Sequence, residues 1–189
     1  MSSAPRILIL ASGAGSLARA VLEAHSQGAI HADFVGLISD KESPALDLAR
    51  SFGVPDFYLP MKTPRSIWDE EIFKATEELD PVLVVSLGFM RILSPGYVER
   101  FQVINTHPSL LPLFPGAHAV RDALAAGASI SGTTVHRVDA GLDSGPILKQ
   151  RQVEVQRGDD EATLHERIKI AERALIVEVL AEYGRTGQL

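Results

Sequence analysis

The chain has 189 residues, 46% of them hydrophobic, a formal net charge of −6 and no cysteine. That length and apolar content support one good core and leave little for a second, so a single domain over residues 1–189 is expected. The acidic balance, with no basic run, excludes a surface that neutralises nucleic-acid phosphates, and the lack of thiols excludes disulfides and thiolate zinc sites.

Met1–Ala4 carry no charged leader, and no apolar stretch approaches the roughly 18 residues of a membrane span, so a cytoplasmic location without membrane contact is expected. The first strand, Arg6–Leu10, runs into Ser12-Gly13-Ala14-Gly15-Ser16 and then a helix start. Gly13, Gly15 and Ala18 match the G-x-G-x-x-A fingerprint of a dinucleotide site, for which Asp40 after the second strand would be the ribose partner. Bare backbone N–H groups at a helix start suit a plain phosphomonoester equally well. The loop alone leaves both open.

Further apolar runs at Phe34–Ser39, Phe57–Leu59 and Val82–Leu87 alternate with helical segments, a βαβαβαβ order. Strands that are apolar on both faces between helices predict an α/β fold: a mostly parallel, twisted sheet with helices on both faces. The clearest of these helices is expected to start at Ser66, with its hydroxyl as cap, Asp69 and Glu70 in the first turn, and Ile67, Ile72, Phe73 and Leu79 buried. The second half predicts a strand at Phe101–Thr106, a loop at His107–Gly116, a helix at Ala117–Ala126 and alternating strands at Thr133–Val138 and Ile147–Val155. That alternation marks an antiparallel portion in the C-terminal half. A last helix buries Leu164, Ile168, Ala171, Leu175 and Val179, and Asp159, Asp160 and Glu161 complement its N-terminal dipole.

The loop VINTHPSLLPLFPGAH, residues 103–118, has a composition that a plain connection does not need. Asn105 and His107, two apart at a strand end, point the same way, toward the crevice where α/β sheets bind ligands. Asn can donate to a developing oxyanion, and His can move a proton near neutral pH. Asp143, in the glycine-flanked turn VDAGLDSGP, would favour imidazolium and orient the ring if it stood beside His107; by itself it reads equally as an Asx-turn residue. Six scattered histidines, none in an H-x-x-x-H arrangement, predict no metal site.

The segments SGAGS, GFMRILSP, INTHPSLLPLFPG, GTTVH and LDSGPI, in that order, resemble the phosphoribosylglycinamide formyltransferase family, folate-dependent transformylases of purine synthesis. The likeness runs from residue 6 to about residue 180. It implies transfer of the formyl group of 10-formyltetrahydrofolate to the amine of glycinamide ribonucleotide, giving formylglycinamide ribonucleotide and tetrahydrofolate. By the same resemblance Asn105, His107 and Asp143 are catalytic, and Ser12, Gly13, Ala14, Gly15 and Ser16 hold the ribonucleotide phosphate. Glu172 contacts its glycinamide part. Arg65, Met90, Arg91, Ile92, Leu93, Val138, Asp139, Ala140 and Gly141 serve the folate; without the resemblance Met90, Ile92 and Leu93 read as ordinary core.

The resemblance thus splits the domain into a phosphate-binding half, 1–100, and a catalytic and folate-binding half, 101–189, and implies a homodimer. Many members of the family carry S-G-N-G-S-N where this chain has Ser12-Gly13-Ala14-Gly15-Ser16-Leu17, which shifts phosphate binding toward backbone. A cis Leu111–Pro112 bond would suit a tight turn there. The nearest rivals are 10-formyltetrahydrofolate hydrolase, expected to add an N-terminal regulatory domain, and methionyl-tRNA formyltransferase, expected to add a C-terminal domain and a basic surface. More distant are a non-catalytic nucleotide or folate binding module and a dinucleotide oxidoreductase.

Overall fold

In the computed structural model, residues 4–189 are described; the reading of the amino terminus falls largely on residues 1–3, outside them. Among the described residues one seven-stranded sheet runs in the order β3-β2-β1-β4-β5-β6-β7. The strands are β1 (Arg6–Leu10), β2 (Asp33–Ser39), β3 (Asp56–Tyr58), β4 (Leu83–Ser86), β5 (Val103–His107), β6 (Ile130–Arg137) and β7 (Ile147–Glu154). β1 to β5 pair in parallel, while β5–β6 and β6–β7 are antiparallel. The α/β expectation, with its antiparallel C-terminal portion, is met.

Alternation along β1 shows why the sheet is covered twice. Ile7 and Ile9 join a core with α1 (Ser16–Ser26), α2 (Pro44–Ser51) and α6 (Glu161–Thr186), whereas Leu8 and Leu10 join one with α3 (Arg65–Leu79) and α4 (Pro95–Arg100). All four side chains are wholly buried, as parallel strands between helix layers require. A smaller cluster of Val120, Val153, Leu164 and Ile168 seats α5 (Ala119–Ala125) against β7 and α6.

Several boundaries differ from the sequence expectation. α3 begins at Arg65 after Pro64, so Ser66 lies inside the helix and does not cap it. Its buried residues are Trp68, Ile72 and Thr76, spaced by four, and Ile67 is left 43% exposed. The large indole fixes the helix rotation, donating its N–H to the Leu59 carbonyl at 2.9 Å. Phe73 and Leu79 are half-buried. β5 extends to His107, and α5 is shorter than Ala117–Ala126 at both ends. On α6, Leu164, Ile168, Leu175 and Val179 are buried as expected and Ala171 is half-buried. Asp160 is the cap, while Asp159 is taken by Arg167 at 2.7 Å.

Candidate active site

The strand order reverses between β1 and β4, and crevices at such switch points are where α/β sheets bind ligands. Around it stand two sets of groups. The first is the loop after β1. Gly15 caps α1 in the left-handed region at φ 72°, where a side chain would also meet Ala45 at 3.0 Å. Gly13, Ala14 and Ser16 are exposed. Ser12 is buried and already committed: its N–H donates to the Gly88 carbonyl at 3.2 Å, and its hydroxyl accepts from the Met90 N–H at 2.9 Å.

The segment that supplies those partners is Gly88–Leu93. Met90 and Ile92 are each 71% exposed, so neither is core, whereas Phe89 and Leu93 are buried. Arg91 is not a free surface cation; its Nε donates to the buried Asp40 carboxylate at 2.5 Å. Arg65, exposed at the start of α3, donates to the Ile92 carbonyl and to Asp69, and lies over the Trp68 ring at 5.1 Å.

The second set lies at the junction of β5 and β6. Asn105 pairs directly with His136 across the two strands, so both side chains leave the same face of the sheet. His136 donates from Nδ1 to the Arg137 carbonyl at 2.9 Å, which leaves Nε2 to accept from the Asn105 amide nitrogen at 3.4 Å. Burial pushes the His136 pKa below its ordinary value, with the backbone contact and Asp143 opposing, so a neutral ring with this tautomer fits the pattern.

His107 is buried, with Nε2 at 2.9 Å from the Phe114 carbonyl and Nδ1 at 3.4 Å from Asp143 Oδ2. Both nitrogens face acceptors, an arrangement that the doubly protonated ring satisfies by donating from each. Asp143 stands at φ 51° and also accepts from the Gly116 N–H at 2.8 Å, so its carboxylate ties the 138–146 turn to the loop after β5. Phe114 has a positive φ too, at 53°, and the Leu111–Pro112 bond is cis as expected.

The rest of the 138–146 turn is held internally. Val138 donates to the Val103 carbonyl, and Asp139 Oδ1 accepts from the Gly141 N–H at 3.0 Å and the Ser144 hydroxyl at 2.9 Å, so Asp139 makes the Asx turn. Ala140 and Gly141 are exposed. Gly145 is needed because a Cβ there would sit 2.0 Å from the Arg137 carbonyl, the same carbonyl that orients His136. Its close approach is thus to neighbouring backbone.

On the opposite face of β5, Glu172 of α6 is buried, not a helix-surface charge. Burial raises its carboxyl pKa, while the Thr106 hydroxyl and then the His107 charge pull it back. The sequence reading missed His136, Thr106 and the Asp40–Arg91 pair. The motif GTTVH contained His136 but gave it no partner, because the partner is set by strand register.

The chain belongs to the formyl transferase family, whose model matches residues 5–180. Within that family it is similar to phosphoribosylglycinamide formyltransferases. One from Mycobacterium tuberculosis is 50% identical over 98% of this chain and 88% of the relative. One from Escherichia coli is 36% identical over 94% and 86%. The crystal structure of glycinamide ribonucleotide transformylase 1 from Symbiobacterium toebii superposes with a TM-score of 0.93 at 33% identity, covering 98% of this chain and 90% of that one.

Proposed function

We propose that this enzyme transfers the formyl group of 10-formyltetrahydrofolate to the amine of glycinamide ribonucleotide in purine biosynthesis. The observation that carries the reading is the meeting of Asn105, His107 and Asp143 at one end of β5, where a nucleophile, a carbonyl and a leaving nitrogen need donors and a proton path. The amine attacks the formyl carbon to form a C–N bond, the carbonyl oxygen takes up negative charge, and the bond to the folate nitrogen then breaks. Asn105 spends one amide hydrogen on His136 and has a second for that oxygen. His107, protonated, becomes the other donor when its Nε2–H turns from the Phe114 carbonyl to that oxygen, while Asp143 holds the ring at Nδ1 and stabilises its charge. The amine proton must reach the folate nitrogen, and the imidazole–carboxylate pair is the group suited to relay it.

The exposed residues Gly13, Ala14 and Ser16 at the α1 N-terminus take the phosphate through backbone N–H groups and the Ser16 hydroxyl, and Ser12 and Gly15 shape that loop. Glu172 meets the glycinamide part. Met90 and Ile92 wall the folate ring, with Arg65, Arg91, Leu93, Val138, Asp139, Ala140 and Gly141 building the surrounding backbone. Residues 1–100 thus form the phosphate-binding half and 101–189 the catalytic half. The protein works in the cytoplasm as a homodimer, a state that light scattering in solution tests.

The decisive experiment follows folate deformylation spectroscopically with and without glycinamide ribonucleotide, and repeats it for His107→Ala. Turnover that requires the ribonucleotide and collapses in the variant is expected. Deformylation without ribonucleotide would instead identify a hydrolase, and tight binding without turnover a binding module.

A further inference from the structure

The segment Gly88–Leu93 does more than pass over the sheet edge: it bridges three strands. β2, β1 and β4 are neighbours, and the segment leaves β4, crosses the end of β1 and reaches the residue after β2. It is fastened at each step. Gly88 and Met90 bond to Ser12 after β1, Arg91 bonds to Asp40 after β2, and the Ile92 carbonyl bonds to Arg65 at the start of α3. Side chains along it alternate, with Phe89 and Leu93 buried, Arg91 turned to Asp40, and Met90 and Ile92 exposed. The result is an apolar pair presented outward from a pinned backbone.

The Asp40 side chain is wholly buried, Arg91 is the partner of one of its oxygens, and Oδ1 has no hydrogen-bond partner among the described residues. Burying a carboxylate this way is unfavourable unless a cation compensates it. The sign also matters. Asp40 lies two residues beyond Ile38, whose carbonyl accepts from the Ala11 N–H at the base of the anion loop. An uncompensated carboxylate there would repel a phosphate; Arg91 cancels it and, through the same bond, fixes the segment that carries Met90 and Ile92.

We propose that the Asp40–Arg91 ion pair is a positioning device that couples the two substrate sites, so that a phosphate ordered on the loop after β1 prepares the apolar wall for the folate. The inference rests on the reading that residues 12–16 take the phosphate and that Met90 and Ile92 face the donor. Coupling of this kind is reciprocal: each ligand tightens the other by one common factor.

The test measures binding of an unreactive deazafolate by calorimetry, with and without glycinamide ribonucleotide, in the wild type, Asp40→Asn and Asp40→Ala. In the wild type the ribonucleotide is expected to tighten deazafolate at least about fivefold, the lower end of ordinary coupling. Asp40→Ala is expected to bring that factor to about one. Asp40→Asn, which keeps a neutral acceptor for Arg91, should fall between, because charge-assisted bonds are about twice as strong. The KM for formyl-folate should rise in the same order while kcat at saturation of both substrates changes little.

A merely structural role would lower the thermal midpoint and leave the factor intact, and that result overturns the proposal. So does a wild type with no coupling. If Asp40→Ala does not fold, Asp40→Asn and Arg91→Gln decide by the same factor. Absence of ribonucleotide-dependent turnover in the wild type would defeat the underlying function, whereas normal turnover with unchanged coupling in the variants defeats this inference alone.

Discussion

The rim of the sheet presents backbone on one side and titratable side chains on the other. Around β1 and β4 the exposed groups are those of Gly13, Ala14 and Ser16, while the polar side chains Ser12 and Asp40 are buried and spent on holding the segment 88–93. Around β5 and β6 the functional groups are themselves side chains, and His107 and His136 are each fixed through both ring nitrogens. The difference follows from what each must recognise. A phosphate monoester stays anionic throughout the working pH range and does no chemistry here, so on the proposed reading N–H dipoles that never titrate suffice. On the same reading, a reacting amine and carbonyl change charge, so the groups that meet them must be donors and proton carriers held in place by their neighbours, as Asn105 and His107 are.

The largest expected effect tests the side-chain half. Asn105→Ala should lower kcat by roughly 10²–10³, the usual cost of one oxyanion donor, while the chain still folds with a thermal midpoint lowered by a few degrees, since the buried His136 Nε2 loses its partner. Turnover within a few-fold of wild type would break the assignment of that half to the chemistry. In the backbone half the counterpart is Gly15→Val. A non-glycine residue at φ 72° costs about 1–2 kcal/mol before any collision, and here Cβ also meets the α2 backbone at Ala45. A fall in the urea midpoint is expected, with KM for the ribonucleotide rising more than KM for the folate. Equal rises would show that the loop does not discriminate between the two substrates.

The same division governs what could be read from the sequence. β1 and its glycine loop were legible because an apolar run followed by Gly13 and Gly15 has few other uses. Asn105 and His107 were legible as a pair because period two alone puts them on one face. That Asp143 meets His107 was not, since it depends on two loops closing on one another through the Gly116 N–H. His136 acquires its role from the Asn105–His136 register, and Arg91 from a carboxylate 51 positions away, neither of which leaves a local trace. In α3, Ser66 imitates a cap, but tertiary packing of Trp68 decides the helix rotation.

Proton uptake provides a subtler contrast inside the side-chain half. Glu172 has a raised pKa, so between the ordinary value of 4.5 and the raised one the folded chain keeps a proton that the unfolded chain has lost. Stability therefore falls as pH rises through that window. His136 has a lowered pKa, so below its ordinary 6.5 the unfolded chain binds the extra proton and stability rises with pH until 6.5 is passed. Glu172→Gln should remove the first slope and retain the second, read from urea midpoints between about pH 4 and about pH 8. A Glu172→Gln profile parallel to wild type would mean that the carboxylate is not desolvated. On the proposed reading of Glu172 at the glycinamide part, its turnover should fall as well.

The smallest effect belongs to the start of α6, about 18 Å along the helix from Glu172. Asp160 accepts from the Thr163 N–H at 2.8 Å, and the Thr163 hydroxyl accepts from the Asp160 N–H at 2.9 Å, a reciprocal capping box. The Thr163 backbone bond holds the Asp160 carboxyl below its usual range, so its contribution is present above pH 3.8 and is lost as pH falls through the depressed value. Asp160→Ala should lower the thermal midpoint by a few degrees at neutral pH, and Asp160→Ser should recover most of it because serine caps nearly as well. Leu164 and Ile168, buried in the first turns, keep the helix seated, so kcat should not move. A drop in kcat of the size expected for Asn105→Ala would mean that the helix start and the site act as one unit, and the separation between scaffold and chemistry in this half of the sheet would have to be redrawn.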